Sequence, residues 1–285
     1  MSIIIHSIPE LQQWSRDAHK AGKTVGLVPT MGFLHDGHLS LIDSARANGA
    51  DAVVISIFVN PIQFGPNEDF AKYPRDFERD RALCETKGVD VIFAPGVEDM
   101  YPEPLTCHVY ENTISKNLCG KSRPIHFEGV TTVVSKLFNA ALPDVAVFGQ
   151  KDAQQAAIIR RMVRDLNFPI KIITAPIVRE PDGLAMSSRN KYLSEDERKR
   201  ALAISRSLFR AQKTFAAEPG VSAEKLIDDI TAEISSAGGD VEYVELTDSD
   251  TMLPAVALAP GKSFTIAVAA RFGSTRLIDN IQLQG

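Results

Sequence analysis

The stretch Val28-Pro29-Thr30-Met31-Gly32-Phe33-Leu34-His35-Asp36-Gly37-His38-Leu39-Ser40-Leu41-Ile42 reads as the end of a buried strand, a tight loop and the first turn of a helix. Gly37 has no side chain to keep a bound group away from the backbone. The amides that open the following helix are unpaired, and with the helix dipole they favour an anion. His35 and His38, three residues apart, are neighbours on that first turn. Each can donate a hydrogen bond to a phosphate oxygen, and with an ordinary pKa of about 6.5 each is expected to become cationic at modest cost. The pattern predicts a site that holds a nucleoside triphosphate and neutralises charge growing on a phosphate.

Competing readings fit less well. The spacing of Gly32 and Gly37 imitates a P-loop, but His38 and Leu39 stand where Lys and Ser or Thr are required. Met31 breaks the dinucleotide fingerprint, and a zinc pair on a helix needs a spacing of four and a third ligand. An isolated pair of histidines at this spacing is most simply a pair of polar loop residues. A strand before it and an amphipathic helix after it favour the phosphate site.

Working outward, Asp51 to Val59 contains Val53-Val54-Ile55-Ser56-Ile57-Phe58-Val59, the near-continuous apolar run of a strand buried on both faces of a parallel sheet. It ends in the breaker-rich loop Asn60 to Asn67, which carries Asn60 and Gln63 past the edge where open parallel sheets bind ligands. Strands are expected at Ile3 to Ile5, Thr24 to Pro29, Val89 to Phe93, Asp144 to Phe148 and Ile170 to Thr174. Helices are expected over Ser7 to Ala21, Leu39 to Asn48, Pro74 to Lys87, Val130 to Ala141 and from Gly149-Gln150-Lys151-Asp152 to about Leu166. Pro95 to Pro104 reads as an irregular surface connection, Thr106 to Tyr110 as a short strand, and Cys119 to Glu128 as a basic loop with Lys121, Arg123 and His126. This order is that of a doubly wound, Rossmann-like α/β sheet over residues 1–176.

Pro176 to Asn190 reads as a connector containing the turn signal Pro181-Asp182-Gly183. Ser194 with Glu197 forms a capping box that starts a long helix to about Phe215, and Ser222 to Ala237 is a second helix stopped by Gly238-Gly239. Strands at Glu242 to Thr247, Phe264 to Ala270 and Arg276 to Leu283 follow, so residues 177–285 are expected to form a smaller α+β domain acting as a lid.

The chain has 285 residues with a net charge of −5 and 24% charged residues, and its pI is near 5.7. That balance gives no electrostatic footprint for nucleic acid. Cys84, Cys107 and Cys119 match neither a metal cluster nor a disulfide framework, which suggests a reducing compartment. No stretch approaches the length of a membrane span, and the N-terminus carries no basic region or cleavage site. A cytoplasmic protein is expected.

The loop Pro29 to His38 is followed, in order, by Phe58-Val59-Asn60-Pro61-Ile62-Gln63-Phe64, Tyr73-Pro74-Arg75, His126-Phe127-Glu128-Gly129-Val130, Gly149-Gln150-Lys151-Asp152 and Met186-Ser187-Ser188-Arg189. On these motifs the whole chain resembles the pantothenate synthetase family, the AMP-forming pantoate:β-alanine ligases of the HxGH nucleotidylyltransferase superfamily. The resemblance implies condensation of (R)-pantoate with β-alanine through a pantoyl adenylate, with ATP and Mg²⁺ as cofactors and release of AMP and diphosphate. It assigns to ATP the loop Pro29, Thr30, Met31, Gly32, Phe33, Leu34, His35, Asp36, Gly37 and His38, with His38 as the proton donor. Gly149 and Asp152 would hold the ribose, Lys151 the phosphates and the Val178 backbone the adenine, with Gln150 also in the ATP-binding set.

Met186, Ser187, Ser188 and Arg189 would clamp the triphosphate, so that His35, His38, Lys151, Ser187, Ser188 and Arg189 carry the chemistry. Gln63, Gln155 and Asn60 would meet pantoate or β-alanine. The metal would be held on phosphates mainly through water, with Asp80 as a candidate carboxylate against the plainer reading of a helix-surface aspartate. A homodimer is the implied assembly. The rival functions are a nucleotidylyltransferase of the same superfamily, which would transfer AMP to a phosphorylated acceptor and stop, and an ATP-binding regulator without chemistry.

Overall fold

A computed structural model describes every residue except Asn67, Pro219, Val256, Ala257, Pro260 and Gly285, so the last residue of the predicted loop Asn60 to Asn67 lies outside the described residues. The strands of the first sheet are β1 (Ile3–Ile5), β2 (Val25–Thr30), β3 (Ala52–Ile57), β4 (Val91–Phe93), β5 (Val145–Gly149) and β6 (Lys171–Ala175). The helices between them are α1 (Ile8–Lys20), α2 (Asp36–Ala47), α3 (Phe77–Thr86), the short α4 (Val97–Met100) and α5 (Cys119–Ser122), α6 (His126–Ala141) and α7 (Ala153–Asp165). The six strands are parallel in the order β1-β4-β3-β2-β5-β6.

The apolar runs of β2 and β3 are buried because alternate residues feed two cores. Leu27 and Val54 join the core packed with residues of α1, α6 and α7, whereas Val28, Val53 and Ile55 join the one packed with α2 and Cys84 of α3. The chain builds outward from β2 to β3 and β4, then returns to lay β5 on the other side of β2. That reversal is the switch point at which open α/β sheets bind ligands. The register shows why a crevice opens there. β2 pairs with β3 along its whole length, but with β5 only at Gly26↔Val145 and Leu27↔Ala146, so the carboxyl ends of β2 and β5 separate.

The smaller unit is an antiparallel sheet of β7 (Asp240–Asp248), β8 (Ser263–Phe272) and β9 (Thr275–Gln284), covered by α8 (Glu195–Ala217) and α9 (Ala223–Ser236). Ile204 and Leu208 of α8 and Leu226, Ile230 and Ile234 of α9 pack on Ile266, Val268, Leu277 and Ile281. The capping box forms as expected: Ser194 N donates to Glu197 at 2.8 Å and Glu197 N to Ser194 Oγ at 3.2 Å.

Three expectations need correction. Thr106 to Tyr110 is not a strand, because the Val109 amide donates to Thr132 Oγ1 (3.0 Å) and its carbonyl accepts from Thr131 Oγ1 (2.6 Å), so α6 side chains replace a ladder partner. The connection Pro95 to Pro104 is not simply superficial: it contains α4, and Met100 and Tyr101 are buried in the core. Cys119 to Glu128 is not all loop, since α5 occupies its start and α6 begins at His126.

Candidate active site

β2 delivers Pro29, Thr30 and Met31 to the crevice, and Thr30 is fixed there by donating to the Ser56 carbonyl at 2.6 Å. The chain then turns through Gly32 (φ +80°) and Phe33 (φ +50°). A non-glycine residue in that region carries strain of order 1 kcal/mol or more. Asp80 holds the turn in place. Its side chain, 1% exposed, accepts from Phe33 N at 2.6 Å and Leu34 N at 2.7 Å. This corrects the reading of Asp80 as a helix-surface residue. With both oxygens on backbone amides it clamps the loop. Burial raises its pKa, and the bonds from Leu34 and Phe33 oppose that rise.

At Gly37 a Cβ would lie 2.9 Å from the His35 ring, so only glycine leaves room for that ring. The His35 and His38 rings stand 4.0 Å apart between centroids. The His35 amide donates to His38 Nδ1 at 3.3 Å, which leaves the proton of neutral His38 on Nε2. Burial lowers the His35 pKa to about 4, with Lys151 adding repulsion. Burial, then His35 and Lys151, hold that of His38 well below its ordinary value. The expectation of cationic histidines is therefore corrected: both are neutral at pH 7, and His38 offers a neutral Nε2–H donor. His35 Nδ1 is buried without a hydrogen-bond partner among the described residues, so it is open to a ligand.

Across the crevice, β5 ends at Gly149 and a 3-10 turn, Gln150–Asp152, leads into α7. Gly149, Lys151, Asp152 and Gln155 line the same cavity as the histidines. From the connector come Val178, Met186, Ser187, Ser188 and Arg189, arranged as a small hairpin in which Met186 N donates to the Val178 carbonyl (3.0 Å) and Arg179 bridges Ala185. Arg189 is not free. It donates from Nε and Nη2 to the two oxygens of Asp69 at 3.1 and 3.0 Å, and Ser188 Oγ lies 3.2 Å from Tyr73 Oη.

The remaining wall is built on α6 and the loop after β3. At Gly129 a Cβ would fall 2.5 Å from Gln63 Cα, so glycine lets the loop settle on the helix. Asn60 is committed to the protein: Nδ2 donates to Gln63 Oε1 (2.9 Å) and to the Gly129 carbonyl (3.0 Å), and Oδ1 accepts from Tyr101 (2.7 Å). Its amide orients Gln63, whose Nε2 meets only Met31 Sδ, at 3.2 Å, among the described residues.

The structure thus gathers most of the sequence-derived set around one cavity, while Asp80 and five others do not line it. Gly32 lies in the turn; Phe33 sits beneath Lys191 Nζ (4.0 Å) and the Arg79 guanidinium (5.0 Å); Leu34 is core. Asp36 is exposed, and Gln150 Nε2 turns to Asn280 Oδ1 at 3.2 Å. Sequence reasoning missed the cavity roles of Tyr73, Arg123 and His126. Arg123 binds both oxygens of Glu68 at 2.6 Å. His126 Nδ1 donates to the Gln63 carbonyl at 3.1 Å, and burial, with Arg123, lowers its pKa to about 3. The cluster of basic residues in 119–128 was the available signal.

A family model described as pantoate-beta-alanine ligase matches residues 3–282. The chain belongs to the pantoate-beta-alanine ligase family. Among related ligases, the pantothenate synthetase of Sulfurihydrogenibium sp. is 51% identical over 98% of this chain and 99% of its own, and that of Thermotoga petrophila is 52% identical over 97% and 98%. The crystal structure of pantothenate synthetase from Thermus thermophilus superposes with a TM-score of 0.91 at 42% identity, covering 99% of this chain and 100% of that one. A pantoate-beta-alanine ligase from Francisella tularensis, solved in complex with beta-gamma ATP and beta-alanine, gives a TM-score of 0.81 at 35% identity, covering 99% and 97%. The ligase fold therefore spans the whole chain.

Proposed function

We propose that this ligase joins pantoate to β-alanine at the expense of ATP through a pantoyl adenylate formed in the crevice between β2 and β5. The observation that carries the reading is the convergence there of the neutral His38 Nε2–H, Lys151 and the Ser187-Ser188-Arg189 segment, brought from three separate elements to one cavity. A carboxylate resists attack by an amine until it acquires a leaving group. In the first step a pantoate carboxylate oxygen bonds to the α-phosphorus of ATP as the bond to the bridging oxygen breaks, and diphosphate leaves. In the second, the β-alanine amine attacks the acyl carbon, AMP leaves with the electron pair of the acyl–oxygen bond, and the amine loses a proton.

Donors aimed at charge that develops in the transition state supply most of such an acceleration. His38 and His35 serve as neutral hydrogen-bond donors, and Lys151 and Arg189 as the cations on the α- to γ-phosphates. Gly149, Asp152 and the Val178 backbone hold the nucleoside. Gln63, oriented by Asn60, and Gln155 hold pantoate. The donor set fits a Mg²⁺ ion that arrives on the nucleotide: among the described residues no group of three or more His, Cys, Asp or Glu side chains is placed to hold a metal, and Asp80 is already engaged. Such an ion would neutralise phosphate charge.

Residues 1–176 form the ATP- and pantoate-binding domain, with 177–285 as a lid that contributes Ser187 to Arg189. A cytoplasmic homodimer is the state we assign, and among the described residues no helix is long and apolar enough to cross a membrane.

The test is diphosphate release from ATP, Mg²⁺ and pantoate, with and without β-alanine. A stoichiometric burst with pantoate alone that becomes steady turnover when β-alanine is added is the expected result. His38→Ala should slow the burst by about 10²-fold to 10³-fold. Transfer of AMP to a phosphorylated acceptor would support the nucleotidylyltransferase instead, and ATP binding without diphosphate release the regulator.

A further inference from the structure

Asn280 lies on β9, in the smaller sheet, yet every polar atom of its side chain is spent on the turn that follows β5. Nδ2 donates to the carbonyls of Gln150 (2.9 Å) and Lys151 (3.1 Å), and Oδ1 accepts from Gln150 Nε2 (3.2 Å). Asn280 is only 3% exposed, so these bonds do not compete with water. Adjacent residues on a strand face opposite sides. Ile278, on the same side as Asn280, packs against the core of the large sheet, whereas Leu277 and Ile281, on the side of Asp279, pack under α8 and α9. Asp279 accepts from both terminal nitrogens of Arg179 at 2.6 and 2.9 Å, and Arg179 begins the bridge to Ala185 in the connector hairpin.

We propose that Asn280 is a positioning residue for Lys151, acting from the other sheet. The turn Gln150–Asp152 is short, and its N-cap, Gly149, supplies no side-chain hydrogen bond. Two bonds from one strand to the Gln150 and Lys151 carbonyls, with a third from the Gln150 side chain, therefore fix the backbone that aims the lysine, and the same dipeptide, through Asp279 and Arg179, fixes the hairpin that carries Ser187 to Arg189. The inference rests on the reading of Lys151 as a phosphate ligand.

Three variants test it: Asn280→Ala, Asn280→Asp, which keeps the size and the acceptor but removes both donations, and either change placed on Lys151→Ala. ATP affinity is read by calorimetry and the pantoate-dependent diphosphate burst per active site. A lysine displaced by about 1 Å costs on the order of tenfold to 10²-fold. That loss is expected in both single variants, in the ATP constant and the burst rate, with the KM for β-alanine unchanged, and it should shrink to under about twofold on the Lys151→Ala background, where no lysine remains to be misplaced. Wild-type ATP affinity and burst in folded Asn280→Ala or Asn280→Asp, or the same factor lost in both backgrounds, would overturn the proposal. Lys151→Ala with unaltered ATP affinity and burst would instead overturn the phosphate role of Lys151.

Discussion

The Asp80 carboxyl sits in a nearly dry place where two backbone amides point at it. Asparagine there would retain one acceptor and turn an NH₂ group against an N–H. Asp80→Asn should cost about 1–3 kcal/mol of stability, visible as a lower Tm, and raise the KM for ATP by releasing the turn at Phe33. The histidines add a pH dependence whose direction follows from their lowered pKa values. In the unfolded chain His35, His38 and His126 take up protons near pH 6.5, whereas in the folded protein they stay neutral until His35 titrates near 4 and His126 near 3, with His38 also well below its ordinary value. The unfolded state thus binds more protons below pH 6.5, and stability is full above that value and lost as the pH falls toward 4. His126 alone is expected to contribute about 2 kcal/mol of loss at pH 5. Thermal unfolding of wild type and His126→Asn between pH 7.5 and 5 checks this, the variant giving the flatter profile. The histidine pair was visible in the sequence from its spacing. Its neutrality was not, because burial and Lys151, more than a hundred residues away, impose it.

At the scale of elements, the periodic signals translated well. The buried run of β3, the capping box of α8 and the glycine stop after α9 lie where local chemistry alone requires them. The expectations that failed depend on partners. Val109 finds its hydrogen bonds on α6 hydroxyls, and Met100 and Tyr101 find a core that no local period announces. The connector is the element with most at stake. Its hairpin presents Ser187 to Arg189 at the junction of the two sheets, so closing it over a nucleotide would exclude water from the proposed adenylate. Arg189→Ala should therefore slow adenylate formation in a single turnover by on the order of 10²-fold while weakening ATP binding far less. Equal single-turnover rates in variant and wild type would remove that role.

Across the whole molecule, the doubly wound order and the smaller α+β unit were legible from the alternation of elements. The crevice was not, since it depends on β2 and β5 pairing at only two positions before they part. The cavity's arginines illustrate the same limit. Arg189 is held by Asp69 and Arg123 by Glu68, adjacent carboxylates of one loop that pattern reading left without a role. The site in this way carries its own counterions. A triphosphate that reaches Arg189 does not meet a bare cation; it exchanges one anion for another, and the displaced carboxylate takes up water. Much of the electrostatic gain cancels, so ATP affinity should change by no more than about threefold between low and high salt, and Asp69→Asn, which lifts the internal competitor, should bind ATP more tightly and with a steeper salt dependence. Calorimetric titration at several ionic strengths reads both, and a flat response in the variant would show that the arginine was never being exchanged.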